Sequence, residues 1–226
     1  MTDCCDITVL LDRSGSMLGI KHTMESGFDE FLSKHRETPT TRLSLIQFDD
    51  QNPYDVVYLE RPITDAPKLD LDPRGMTPLR DALCQAIDET GRRLRDKREG
   101  DRPNKVLFLV ITDGMENASR QYTYKDVRKR VKQQTDTYRW EFVYLGANQD
   151  AIVEAGKLGM DLTKAITYDV NKTSTAWRGL ATNTACYASI NGSPSAAQAD
   201  VALNWTNAQR EEVIDNKATN GTTSSR

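Results

Sequence analysis

Apolar positions along this chain come in two arrangements. Short, almost wholly apolar runs alternate with longer stretches whose apolar residues recur three and four apart. The first arrangement predicts strands buried on both faces, the second amphipathic helices. Residues 7–11 make a strand closed by Asp12 and the turn-rich Arg13-Ser14-Gly15-Ser16. A helix over 21–35 follows, with Met24, Phe28, Phe31 and Leu32 on one face and a stop at Thr38-Pro39. Residues 43–48 and 56–59 are strands joined by turn residues 49–53, a hairpin that sets one antiparallel strand into the sheet.

Beyond the polar loop 70–75, Thr77 reads as an N-cap and Pro78 as the first helical residue. Leu79, Leu83, Ala86, Ile87 and Leu94 supply that helix's apolar face. A strand over 105–111 ends at Thr112-Asp113-Gly114, and a helix over 124–135, a strand over 141–145 and a helix over 150–158, stopped by Gly159, come next. A strand over 165–168 and a helix over 174–190 complete the alternation. Such a series predicts an α/β three-layer sandwich with a mainly parallel sheet and one antiparallel edge strand. The domain is expected over 1–190. Residues 191–226 form an extension after Asn191-Gly-Ser-Pro-Ser, with one short helix within 204–215 and a polar tail over 217–226 that lacks an apolar anchor.

Charge is nearly balanced, with 30 Lys+Arg against 33 Asp+Glu, so no global field draws the chain to nucleic acid or membrane. The longest apolar run, 106–111, is far short of the roughly 20 residues that span a bilayer. Asp3 and Asp6 precede an apolar run too short for a signal peptide, which points to the cytoplasm. The sequons at Asn117, Asn171, Asn191, Asn204 and Asn220 would then stay unmodified. Cys4, Cys5, Cys84 and Cys186 show no zinc-like spacing and read as reduced thiols. Basic stretches at 92–105 and 125–132 lack interleaved aromatics, so they read as solvated helix faces and nucleic acid is not an expected partner. His22 and His35 read as exposed helix positions.

Ligands of open α/β sheets bind beyond the carboxyl ends of the strands. Three segments converge there: Asp12-Arg-Ser14-Gly-Ser16, Gly75-Met-Thr77-Pro-Leu and Thr112-Asp113-Gly114. A single Asp-x-Ser segment is commonly just a turn cap. Together the three offer two carboxylates and three hydroxyls without nitrogen or sulfur, a set suited to a hard cation, Mg²⁺ before Zn²⁺ or Cu²⁺. Glu116 and Asn117 either line the rim of this place or belong to a solvated turn.

In these three motifs, in this order, the chain resembles the von Willebrand factor A (VWA) domain, over residues 2–190. The resemblance implies a Rossmann-like sandwich with a complete metal-ion-dependent adhesion site made of Asp12, Ser14, Ser16, Thr77 and Asp113. It implies Mg²⁺, with Mn²⁺ or Ca²⁺ as alternatives, and a vacant position that takes a Glu or Asp side chain of a partner protein. Residues 142–152 with 155–159 resemble a pattern of small stand-alone VWA proteins of bacteria and their phages. The expected function is a non-enzymatic, metal-dependent protein-binding module. Alternatives are an assembly subunit of a phage or host-modifying complex, homo-oligomeric or not, and, less favoured, a Mg-dependent phosphoesterase. The last lacks a histidine base at the site and a second carboxylate cluster.

Overall fold

Alternate residues of each apolar run face opposite helical layers, which is why the runs lack a polar side. In the computed structural model, which describes residues 2–38, 40–147 and 150–214, they form one six-stranded sheet. The strands are β1 (Thr2–Asp12), β2 (Arg42–Phe48), β3 (Asp55–Pro62), β4 (Pro103–Thr112), β5 (Glu141–Ala147) and β6 (Ala165–Tyr168). Their order is β3-β2-β1-β4-β5-β6, parallel throughout except for β3, which runs antiparallel to β2 at one edge. Ile7, Val9, Leu11, Leu107, Leu109 and Ile111 face one core, built with α1 (Lys21–His35) and α5 (Thr173–Ala188). Leu10, Val106, Phe108 and Val110 face the other, built with α2 (Leu79–Arg95), α3 (Tyr124–Tyr138) and α4 (Ala151–Leu158). The expected three-layer α/β sandwich is therefore the observed one.

Three expectations need correction. Thr77 does not cap α2, because Pro78 occupies the N-cap position with ψ 58° and no side chain of the helix's own entry closes it. His35 is fully buried rather than exposed, since α1 ends against α5 with the imidazole 4.3 Å from the Phe31 ring. Among the described residues after 190 there are two helices instead of one, α6 (Ala196–Leu203) and α7 (Asn207–Glu212). Both start at capping boxes, Ser195 with Gln198 and Thr206 with Gln209.

This stretch packs onto the sandwich. Ala199, Ala202, Leu203, Trp205 and Val213 join the core beside α5. The backbone of 205–213 is pinned just before and just after β6: Trp205 N–H donates to the Thr163 carbonyl (3.1 Å), and Asp169 N–H to that of Val213 (2.9 Å). The Arg210 guanidinium donates to the carbonyls of Ala165 and Thr163 at 2.9 and 2.8 Å. The polar tail expected over 217–226 lies outside the described residues.

Burial pushes the His35 imidazole down to about 4, against the opposing pull of the Phe31 and Thr184 carbonyls. Below pH about 6.5 the unfolded chain binds a proton that the folded protein refuses until about pH 4. Stability from this group is thus whole above pH 6.5 and is lost as pH falls to 4. The stability difference between wild type and His35→Leu should shift by about 3 kcal/mol against the wild type across that window. Urea midpoints measured at several pH values decide it, and a pH-independent difference would show that the imidazole is not shielded.

Candidate metal centre

Parallel pairing of β1 with β4 sets Leu11 beside Ile111, so the two strands end together at Asp12 and Thr112. This is the switch point of the sheet, where the chain leaves β1 toward β2 on one side and later enters β4 on the other. The Asp12 carboxylate is fully buried there. Its Oδ1 accepts the Ser14 N–H (2.7 Å) and its Oδ2 the Thr112 hydroxyl (2.5 Å). Gly15 N–H donates to the Gly75 carbonyl (3.1 Å), tying the first segment to the second. Gly75 has φ +66°, and a Cβ there would fall 2.0 Å from Asp50 Oδ1, so this turn requires glycine.

Gly114 shows how closely the segments converge. A Cβ at this residue would lie 2.7 Å from Thr77 Oγ1, 3.3 Å from Ser16 Oγ and 3.4 Å from Asp12 Oδ2. Ser16 Oγ donates to Asp113 Oδ1 at 2.6 Å and lies 3.0 Å from Ser14 Oγ. All five site residues named from the sequence are thus gathered around one small space.

Burial raises Asp12 to about 6, opposed by its bonds from Thr112 and Ser14, and burial likewise raises Asp113. No cation offsets the pair from within the three segments: the Arg13 guanidinium turns away to Asp49 (2.8 Å) and Asp55 (2.6 Å). Two partly desolvated carboxylates and three hydroxyls around a space that any Cβ would fill fit a hard divalent cation. Asp12, Ser14, Ser16, Thr77 and Asp113 are the residues that could hold one. Among the described residues no group of three or more His, Cys, Asp or Glu offers an alternative centre.

Glu116 and Asn117 stand in the loop after β4, Glu116 partly buried and Asn117 exposed, and both hold the start of α2. Glu116 accepts from the N–H groups of Arg80 (2.9 Å), Ala118 (3.1 Å) and Ser119 (2.8 Å) and from the Ser119 hydroxyl (2.6 Å). Ser119 Oγ also accepts from the N–H groups of Arg80 and Asp81, so the loop after β4 caps α2 from outside. Asn117 grips Thr77 on both sides: its Oδ1 accepts the Thr77 N–H (2.8 Å) and its N–H donates to the Thr77 carbonyl (3.1 Å). Their hold on α2 was not legible in the sequence, because the groups they hold there, at Thr77, Arg80 and Asp81, lie 36 to 40 residues away.

Fold and site together define an α/β domain with an oxygen-donor centre at the switch point of its sheet. The chain belongs to the von Willebrand factor type A domain family, whose profile matches residues 6–177. Solved structures share the fold at low identity. Proximal thread matrix protein 1 from the mussel byssus is 14% identical with a TM-score of 0.59, over 79% of this chain and 47% of its own. Another structure of that protein, with a zinc-occupied MIDAS motif, is 15% identical with a TM-score of 0.57, over 79% and 47%. The pilus adhesin SpaC from Lactobacillus rhamnosus GG is 14% identical with a TM-score of 0.62, over 82% and 30%. The chain thus spans less than half the length of these proteins. No curated protein matches it in sequence. Among the described residues no helix is long and apolar enough to cross a membrane.

Asp12 makes a prediction with a definite sign. Its folded value lies above the ordinary 3.8, so in metal-free protein its contribution to stability is lost as pH rises through about 6. Asp12→Asn should therefore be more stable than metal-free wild type at pH 7, by up to about 3 kcal/mol, and Asp113→Asn should be unchanged or steadier. Leu109→Ala, which opens a cavity in the core, should cost about 2–5 kcal/mol. Thermal melts in chelator compare the three; if the Asp12 and Asp113 variants unfold as readily as the Leu109 variant, the carboxylates are structural caps.

Proposed function

We propose that Asp12, Ser14, Ser16, Thr77 and Asp113 form a complete metal-ion-dependent adhesion site that holds a divalent cation and captures an acidic side chain of a partner protein. The observation that carries this reading is the convergence of Thr77 Oγ1, Ser16 Oγ and Asp12 Oδ2 on the space beside Gly114. The hardness of the oxygen donors favours Mg²⁺, with Mn²⁺ or Ca²⁺ as alternatives. When bound, the cation supplies a coordination position open to an external oxygen. The chain's own residues do the rest. Asp12 is fixed by Ser14 and Thr112, Thr77 by Asn117, and Ser16 by Asp113, so the donors are set before any partner arrives.

The module is proposed to be non-enzymatic, because neither histidine belongs to the three segments and the oxygens of Glu116 already accept from Arg80, Ala118 and Ser119. The setting we propose is the cytoplasm of a bacterium or of a phage-infected cell, on the strength of the 142–159 pattern. The zinc in the mussel protein's MIDAS motif supports a divalent ion in a site of this kind and leaves the native metal to measurement.

Calorimetric titration with Mn²⁺ should give one site per chain, with Asp12→Ala at least about tenfold weaker. Proteins retained from the native host by the immobilised chain should be lost on adding EDTA and with Asp12→Ala. Charge reversal at Arg92 and Arg95, both solvent-facing, should leave retention intact. Retention that survives EDTA and Asp12→Ala but collapses between low and moderate salt would replace this reading with a phosphate-backbone one.

A further inference from the structure

The outer face of α3 carries a charge pattern that folding does not use. Val127 and Val131 turn inward and are buried, which puts Lys125, Arg128, Lys129 and Lys132 together on the opposite, exposed side of the helix. Residues three and four apart are neighbours on a helix surface, so the four form one continuous stripe. Like charges at these spacings destabilise a helix, and the stripe therefore works against α3.

The basic residues in and just after α2 show the contrast. Arg92, Arg93, Arg95, Lys97 and Arg98 each meet a carboxylate. On α3, Arg130 meets Asp88 and Lys132 meets Asp136, but among the described residues Lys125, Arg128 and Lys129 make no ion pair. The remaining carboxylates of α3 and α4 are engaged. Asp126 accepts the Thr123 N–H (2.8 Å) and hydroxyl (2.6 Å), and Glu154 accepts from the Tyr124 hydroxyl (2.6 Å) and Lys157 Nζ (3.1 Å). Arg128 is held in place, because its Nη1 donates to the Lys157 carbonyl (3.3 Å) and a Cβ at Gly159 would lie 2.9 Å from its Cγ. The stripe thus runs onto α4 beside the half-exposed Lys157.

We propose that this face is an electrostatic docking surface for an acidic helical segment of a partner protein, one whose carboxylates recur at the same three- and four-residue spacing. Charge complementarity selects an acid, and the size of the stripe selects a protein segment. Seven residues of helix rise only about 10 Å. Around that strip stand Asp88 and Glu89 on α2 and Asp136 on α3, in a chain whose net charge is −3. A nucleic-acid duplex or a membrane spreads phosphate over a far wider area and would press it against those groups. Within the stripe no ring is offered to a base: Tyr122 and Tyr124 lie under the Arg130 and Arg80 guanidinium groups at 4.8 and 5.1 Å, and Tyr138 follows Val131 on the other side of the helix. Exposed ion pairs each contribute little and are screened by salt, so the face speeds and orients the encounter without holding a partner by itself. The inference needs no metal and does not rest on the reading of the oxygen centre.

The probe is a fluorescently labelled, amidated peptide, Ala-Gln-Ala-Ala-Glu-Ala-Gln-Glu-Glu-Ala-Ala-Glu-Ala-Ala-Gln-Ala, titrated with the full chain in EDTA and followed by anisotropy. Its isomer with the four glutamates spread around the helix is the control. At low salt the striped peptide should bind at least about tenfold more tightly than the isomer. Raising the salt until the Debye length falls from about 30 to about 8 Å should weaken it at least about tenfold. The triple variant Lys125→Gln, Arg128→Gln, Lys129→Gln should lose about tenfold or more in affinity, with a melting temperature unchanged or higher. The variant Arg92→Gln, Arg95→Gln should bind as the wild type does. Equal binding of the two peptides, binding that the triple variant keeps, or no binding at low salt overturns the proposal. Duplex DNA or phosphatidylserine vesicles that bind more tightly than the peptide, and lose that binding in the triple variant, would give the face to phosphate and overturn it as well. With EDTA present throughout, none of these outcomes bears on the metal site, which Mn²⁺ titration tests separately.

Discussion

The pairing of β1 with β4 is the constraint on which the rest of the molecule depends. Both strands are buried on two faces, so a slip of one residue would turn every side chain into the wrong helical layer. The register is therefore fixed by packing that has nothing to do with binding, and it delivers Asp12 beside Thr112 as a by-product. Because β1 and β4 run parallel and their neighbours diverge, backbone leaves this point in two directions and opens a place where loops from both halves of the sheet meet.

Thr77 reaches this place through a second, less direct arrangement. The geometry of Pro78 denies α2 a cap of its own, and the helix start is completed instead by Glu116 and Ser119. Asp81, in the first turn of α2, returns the contact by accepting the N–H groups of Arg120, Gln121 and Tyr122. The loop after β4 and the start of α2 thus hold each other, which ties the segment of Asp113 to that of Thr77. On the opposite side, Asp49 binds both Arg13 and Arg74, which fixes the first segment to the loop before Gly75. A site built this way is organised by contacts spread over the whole upper end of the sheet.

The strands and helices were legible because each apolar run is a local pattern whose meaning does not depend on distant residues. The five candidate residues could be named because they stand at strand and helix ends in oxygen-rich motifs that resemble a known family. The roles of Glu116, Asn117 and Ser119 were not, since their partners lie about 40 residues away and a turn-forming Asn or Ser carries no mark of such use. His35 was misjudged because a helix's last turn is usually wet, and only the approach of α5 buries it. The start of α6 was written in the chain as Ser195-Ala-Ala-Gln198, a capping signal easily masked by the Pro and Gly just before it.

The segment that borders β6 has a consequence for how the protein is made. An uncovered parallel edge is a template for pairing with another chain. At the other edge, β3 is interrupted by two register shifts and by Glu60 at φ 50°, so its ladder is too irregular to extend readily. The β6 edge has no such bend and is bordered at both ends by residues 205–213, which leave the ribosome only after the six strands described have emerged. During synthesis the sheet therefore passes through an interval with its carboxyl-terminal edge bare, and the speed at which α6 and α7 dock sets how long neighbouring nascent chains have to pair with it.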